Sequence, residues 1–194
     1  DLFVFKNSEL DLNVKQRIED VFIDLKALHT TKSDSIKLVF RSAPAIGPNA
    51  FALPGNIIVL LDEMVEFADD DDLIAAVLAH ELAHVTNRHA IRYITRSALL
   101  TVGAALIFGA DDSVIEEFAS VGSGLILAKY SREFELEADQ QGAKDMRQLG
   151  LNPQKISKLF DMIEAECDGI CDGGGYFASH PSFADRRSNL SGSD

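Results

Sequence analysis

Residues 73–84 read Leu-Ile-Ala-Ala-Val-Leu-Ala-His-Glu-Leu-Ala-His. The segment holds no Gly or Pro and is rich in Leu and Ala, the residues that lose least on entering a helix. Four acidic residues, Asp69 to Asp72, stand before it, where the helix dipole favours negative charge. The pattern predicts one helix running on through about Ile94. Upstream, Leu12, Val14, Ile18, Val21, Phe22, Leu25 and Leu28 have helical spacing and predict an amphipathic first helix over 10–28. Residues 33–41 and 56–61 (NIIVLL) are strand-like, and Pro54-Gly55 marks a turn after Phe51-Ala52-Leu53. A short helix is expected over 63–67. Downstream, helices are expected over 131–149, stopped by Gly150 and Pro153, and over 153–166. The layout is α+β, a small early sheet followed by helices.

On a helix, His80 and His84 lie one turn apart on one face, so both imidazoles can reach a single ion. Glu81 projects beside them, as the carboxylate that takes a proton from the attacking water in metal-assisted hydrolysis. The chemistry needs that spacing because two ligands and a base must share one metal. His/His/Glu sets suit zinc, which takes three protein ligands in catalytic sites. A third histidine six residues after His84 is missing, since that position is Ala90 and His89 misses it by one. The other source is an acidic residue on a later helix. Within 131–139 (SREFELEAD), Glu135 and Asp139 are four apart and share a face. Glu135 is the candidate ligand, and Asp139 the candidate acceptor for the ring N–H of a ligating histidine. Glu133 and Glu137 are rivals that point to other sides of that helix. His89 is read as structural, a cation at a helix end.

The chain has 194 residues, 46% hydrophobic and 25% charged, which fits one domain with a core of its own. Its net charge of −13 repels a polyanion, so nucleic acid is a poor partner. The two cysteines, Cys167 and Cys171, make neither a disulfide framework nor a four-cysteine metal site. The chain starts at Asp1, and an upstream targeting or membrane segment is expected to be missing. The longest apolar stretch, Ala98 to Ala110, is shorter than the ~20 residues that span a bilayer. With Phe118 to Ala128 it is read as two buried helices. The other reading is a hairpin over 98–128 that meets a membrane surface or covers the active site.

Several motifs occur in one order: Asn49-Ala50-Phe51-Ala52-Leu53-Pro54-Gly55, then His80-Glu81-Leu82-Ala83-His84, then Asn87-Arg88-His89. Ser131-Arg132 with Glu135 and Asp139 follow, then His180-Pro181 with Arg186. Over roughly 35–190 the chain resembles the HtpX-like, BepA-like and CaaX prenyl endopeptidase family of zinc metallopeptidases. The resemblance implies a zincin-like fold of gluzincin type over 1–194, one zinc ion per chain, Glu135 as third ligand and Asp139 in support. It implies that Asn49, Ala50, Phe51 and Ala52 form an edge strand that pairs with an extended substrate. It makes His180 a residue that approaches the metal, either to steady the oxyanion or to plug the site, and Arg186 its companion. It also implies a polypeptide substrate, unfolded or misassembled, and a place at the bacterial cell envelope, periplasmic or membrane-associated. The other reading is a latent or occluded zinc-containing module that binds polypeptides without cutting them.

Overall fold

A computed structural model describes residues 5–29, 35–68, 70–108, 131–166, 180 and 186–187. Cys167, Cys171, Pro181 and the stretch 118–128 lie outside the described residues.

The early sheet has four strands, β1 (Lys6–Asn7), β2 (Lys37–Ser42), β3 (Ala50–Leu53) and β4 (Ile57–Leu61), in the order β1-β2-β4-β3. β2 and β4 run parallel, with Val39 opposite Val59, while β1 and β3 are antiparallel to their neighbours. The turn Pro54–Asn56 reverses the chain between β3 and β4. Gly55 and Asn56 both take positive φ there, 92° and 63°, which glycine and asparagine tolerate best. β3 ends up as one edge of the sheet. The segment between β2 and β3 is pinned where Glu63 accepts from the Ala43 N–H and the Ser42 hydroxyl.

The described residues form six helices: α1 (Leu12–Ala27), α2 (Asp62–Ala68), α3 (Asp71–Thr86), α4 (His89–Phe108), α5 (Arg132–Gln148) and α6 (Lys155–Glu166). The architecture is α+β, as the order of patterns predicts. α3 is the centre of the molecule. Every residue from Leu73 to His84 is buried, so this helix has no solvent face. It touches the sheet through β3 and β4 and packs against α1, α2, α4, α5 and α6. Each large aliphatic side chain withdrawn from water there contributes about 1.5–3 kcal/mol. Asp70 caps the helix, its carboxylate accepting from the Asp72 and Leu73 N–H groups.

α5 crosses α3 at Gly142. A Cβ on Gly142 would stand 3.2 Å from the His80 nitrogen and 3.3 Å from the Ala79 carbonyl carbon. The missing side chain thus lets α5 approach the backbone of α3 at His80. Ser131 caps α5, and Gly150 ends it at φ 73°, with Leu151 N–H returning to the Met146 carbonyl.

Two expectations are corrected. The helix predicted through Ile94 is two helices. α3 stops at Thr86, Asn87 caps it, and Arg88 takes a left-handed φ of 56°, so α4 starts in a new direction at His89. No Gly or Pro announces this break. The helix expected to be buried over 98–110 also differs. In its described part, Leu99, Leu100, Val102, Leu106 and Ile107 are between 55% and 82% exposed. His89–Ile107 is long and apolar enough, by length and composition, to cross a membrane.

Candidate metal centre

α3 brings His80 and His84 to one side of the helix, with Nε2 atoms 2.9 Å apart. α5 lies across that side and contributes Glu135, whose Oε2 is 3.5 Å from His80 Nε2 and whose Oε1 is 3.5 Å from His84 Nε2. His180 joins from the C-terminal region, with Nδ1 3.3 Å from His80 Nε2 and 3.1 Å from Glu135 Oε2. All four residues are at most 1% exposed, and their donor atoms lie within 4.8 Å of one another. An ion with bonds of about 2.0–2.1 Å to four tetrahedral ligands holds them about 3.3–3.4 Å apart. The spacings of 2.9–3.5 Å are close to that edge length, with Glu135 meeting His80 and His180 through Oε2 and His84 through Oε1. The donor set, imidazole nitrogen and carboxylate oxygen, is of the right chemistry for a divalent transition-metal ion.

The surroundings settle which nitrogen faces the centre. His80 Nδ1 donates to Asp139 Oδ1 at 2.9 Å, which turns the Nε2 lone pair inward. Asp139 is in turn gripped by Arg186, Nε to Oδ2 at 2.6 Å and Nη2 to Oδ1 at 2.7 Å. Arg186 also reaches Glu135 Oε2 at 2.9 Å and the His180 carbonyl at 3.3 Å, and lies over the Phe160 ring. It is wholly buried, and its planar fork holds two carboxylates and the backbone of His180 together.

The field of the centre favours positive charge. Burial would lower the pKa of His180, but the charges of Glu135 and Glu81 outweigh it and raise the value to about 9. His80 is likewise raised: burial works against it, and Asp139 and Glu135 prevail. Burial opposes the ionised forms of Glu135 and Asp139 too. His180 and Arg186 hold Glu135 well below the usual carboxylate range, and Arg186 does the same, less strongly, for Asp139. His84 lies well below its ordinary value, first through burial and then through the charge of His80.

Glu81 points to the same centre. Its carboxylate is fully buried and has no hydrogen bond among the described residues, while His180 Nε2 stands 3.3 Å from Oε1. A buried carboxylate left in this way is costly unless a ligand or water completes it.

The structure thus brings together His80, Glu81, His84, Glu135, Asp139, His180 and Arg186. Asn49, Ala50, Phe51 and Ala52 lie on or beside β3, the edge strand of the sheet, and all four are buried. Ala52, Leu53 and Gly55 share a cavity of about 40 Å³ with His84, Arg88 and Ile91. Glu133 and Glu137, the rival ligands, are turned away and pair with Arg96 and Arg92.

His89 departs from its expected place. It opens α4 rather than closing a helix, an end where a cation is unfavourable. It is fully buried, its Nδ1 is 2.8 Å from His84 Nδ1, and its ring stacks on Phe134. Burial holds its pKa below the ordinary value, against the pull of Glu137, so it is a neutral ring. The sequence signal that could have found it is a histidine just past the second metal-motif histidine, in reach only if the helix breaks.

Comparison with known proteins gives this geometry a context. The profile described as Peptidase family M48 matches residues 8–194. The mitochondrial metalloendopeptidase OMA1 of Saccharomyces cerevisiae is 29% identical over 154 residues, covering 76% of this chain and 44% of that protein. The protein of the same name in Schizosaccharomyces pombe is 31% identical over 140 residues, 70% of this chain and 40% of that one. The beta-barrel assembly-enhancing protease of Escherichia coli is 29% identical over 130 residues, 59% of this chain and 26% of that one. The chain spans less than half the length of these relatives.

Proposed function

The chain belongs to peptidase family M48, and on that premise we propose that it is the catalytic domain of a zinc-dependent endopeptidase of gluzincin type. The observation that carries this reading is the buried set of donor atoms of His80, His84, Glu135 and His180, all within 4.8 Å of one another, with the buried Glu81 carboxylate beside them. In the proposal, His80, His84 and Glu135 are the ligands. A bound zinc ion supplies a Lewis acid that polarises the scissile carbonyl and brings the pKa of water toward about 7.

The chain's own residues do the rest. Glu81 takes the proton of the attacking water on a carboxylate oxygen and delivers it to the leaving amine. His180 donates an N–H to the developing oxyanion. Asp139 keeps the His80 proton on Nδ1, and Arg186 keeps Asp139 in place. The outer edge of β3, with Asn49 leading into it, pairs with the backbone of an extended substrate. Strand pairing reads backbone more than side chains, which supports unfolded or misassembled polypeptides as the substrate class. We place the protein at the bacterial cell envelope, as one domain of a longer chain. Support comes from the relative whose name speaks of β-barrel assembly and from the exposed apolar residues of α4.

Glu81→Gln is the direct test. It keeps shape and ligands but removes the base, so metal content should stay and cleavage of unfolded casein should fall by about 100-fold or more. Cleavage at the wild-type rate would overturn the assignment.

One observation favours a second reading, a latent or occluded site. His80, Glu81, His84, Glu135 and His180 are each at most 1% exposed, with His180 seated as a fourth donor. If His180 is a plug, His180→Ala raises cleavage; if it serves the oxyanion, the same change lowers it.

A further inference from the structure

The two histidines of α3 are held from behind by different devices. His80 leans on a carboxylate, Asp139, which Arg186 anchors. We propose that His89 is the positioning residue for His84, fixing its proton and ring angle through a relay that ends in Glu137 and Arg92. The inference rests on His84 being a metal ligand, as proposed above.

His84 Nδ1 and His89 Nδ1 are 2.8 Å apart, so one must donate and the other accept. His84 Nε2 faces His80 Nε2 and Glu135 Oε1 at the centre, and its lone pair is needed there. The proton of His84 therefore sits on Nδ1, and His89 Nδ1 accepts it. The proton of His89 is then on Nε2, which faces Glu137 Oε2 at 3.3 Å, and Arg92 Nη1 donates to that same oxygen at 2.7 Å. The donors thus run outward from the centre as far as Glu137, whose carboxylate accepts from His89 on one side and from Arg92 on the other.

The His89 ring is also fixed in angle. It stacks on Phe134 with centroids 4.5 Å apart and planes 5° from parallel. The other contacts of Phe134 include the guanidinium groups of Arg92 and Arg96, at 4.4 and 4.7 Å. The break at Arg88 makes this possible. On a continued helix, residue 89 would lie five positions beyond His84, about 140° round the axis and away from its ring. The left-handed turn at Arg88 directs α4 so that its first residue folds back behind His84. A break that no Gly or Pro eases is explained by what it places.

Two substitutions separate positioning from packing. His89→Asn sets an amide oxygen near the place of Nδ1 and loses the ring. His89→Phe keeps the ring and its stacking but offers no acceptor. Zinc affinity is measured by competition with a chromophoric chelator, and the cobalt-substituted proteins are compared by visible absorption. Positioning predicts that His89→Phe binds zinc about 10- to 100-fold more weakly, with shifted cobalt bands, and that His89→Asn recovers most of the loss. A packing role predicts the opposite rank, with His89→Phe like wild type, and that result overturns the inference. Should His89→Phe fail to fold by circular dichroism, Glu137→Leu serves: a several-fold weaker zinc affinity supports the relay, and unchanged affinity overturns it. A wild type that binds no zinc would instead defeat the metal reading itself.

Discussion

Replacing Arg186 by methionine should cost more stability than any surface change in this domain. The side chain is 0% exposed and spans Asp139, Glu135 and the His180 carbonyl, with contacts of 2.6–3.3 Å. Methionine fills much of the volume over Phe160 but leaves two carboxylates without their common cation. Breaking a buried ion pair by removing one partner costs about 3–5 kcal/mol. In a domain of this size each kcal/mol moves the melting temperature by about 2–4 °C, so a fall of about 6–20 °C is expected. Urea unfolding should be run with chelator present, because a bound metal would add its own stabilisation. Arg186→Lys keeps the charge but cannot grip Asp139 with two parallel bonds, and should fall between wild type and methionine. Combining Arg186→Met with Asp139→Asn should recover part of the loss, since the two residues are coupled. A loss below about 1 kcal/mol for Arg186→Met in chelator would refute the claim that this arginine ties the centre together.

Gly142→Ala should destabilise by about 1–3 kcal/mol, because its Cβ meets the α3 backbone at His80 with no flexible side chain to yield; thermal unfolding checks the loss, and metal affinity should fall with it as α5 is displaced. Asp70→Asn should change stability with pH in a defined direction. The hydrogen bond from Lys155 is the chief cause that lowers the Asp70 pKa below 3.8, so this pair's contribution is present above that value and is lost as pH falls through the folded-state pKa. Solvent screens this pair, so the difference from wild type should be small near neutrality and should shrink in acid urea titrations.

Different parts of this architecture were legible for different physical reasons. His80 and His84 could be placed because one turn of helix fixes their relation locally, and the Leu/Ala-rich helix around them needs no tertiary context. Glu135 and Asp139 required a further step. Their spacing puts them on one face, but only the need for a third ligand, and the resemblance, aims that face at α3. His180 and Arg186 carry no local pattern at all; chain folding alone brings them within hydrogen-bond reach of residues 45 or more positions away. His89 was misread because the only stop signal at the break is Asn87, a residue that suits helix ends, while Arg88, which takes the left-handed turn, ordinarily continues a helix. The exposed apolar face of α4 was misread as core, since composition tells how apolar a helix is and not what lies against it. The turn over 54–56 was legible because Gly55 and Asn56 suit the backbone angles that it demands.

The central claim is that His80, His84 and Glu135 hold one catalytic ion. Elemental analysis of the purified protein tests it most directly, with wild type and Glu135→Ala prepared in parallel without chelator. The account predicts about one zinc per wild-type chain and a sharp reduction in the variant, with both proteins folded. Equal and full zinc in both, or none in folded wild type, would contradict it.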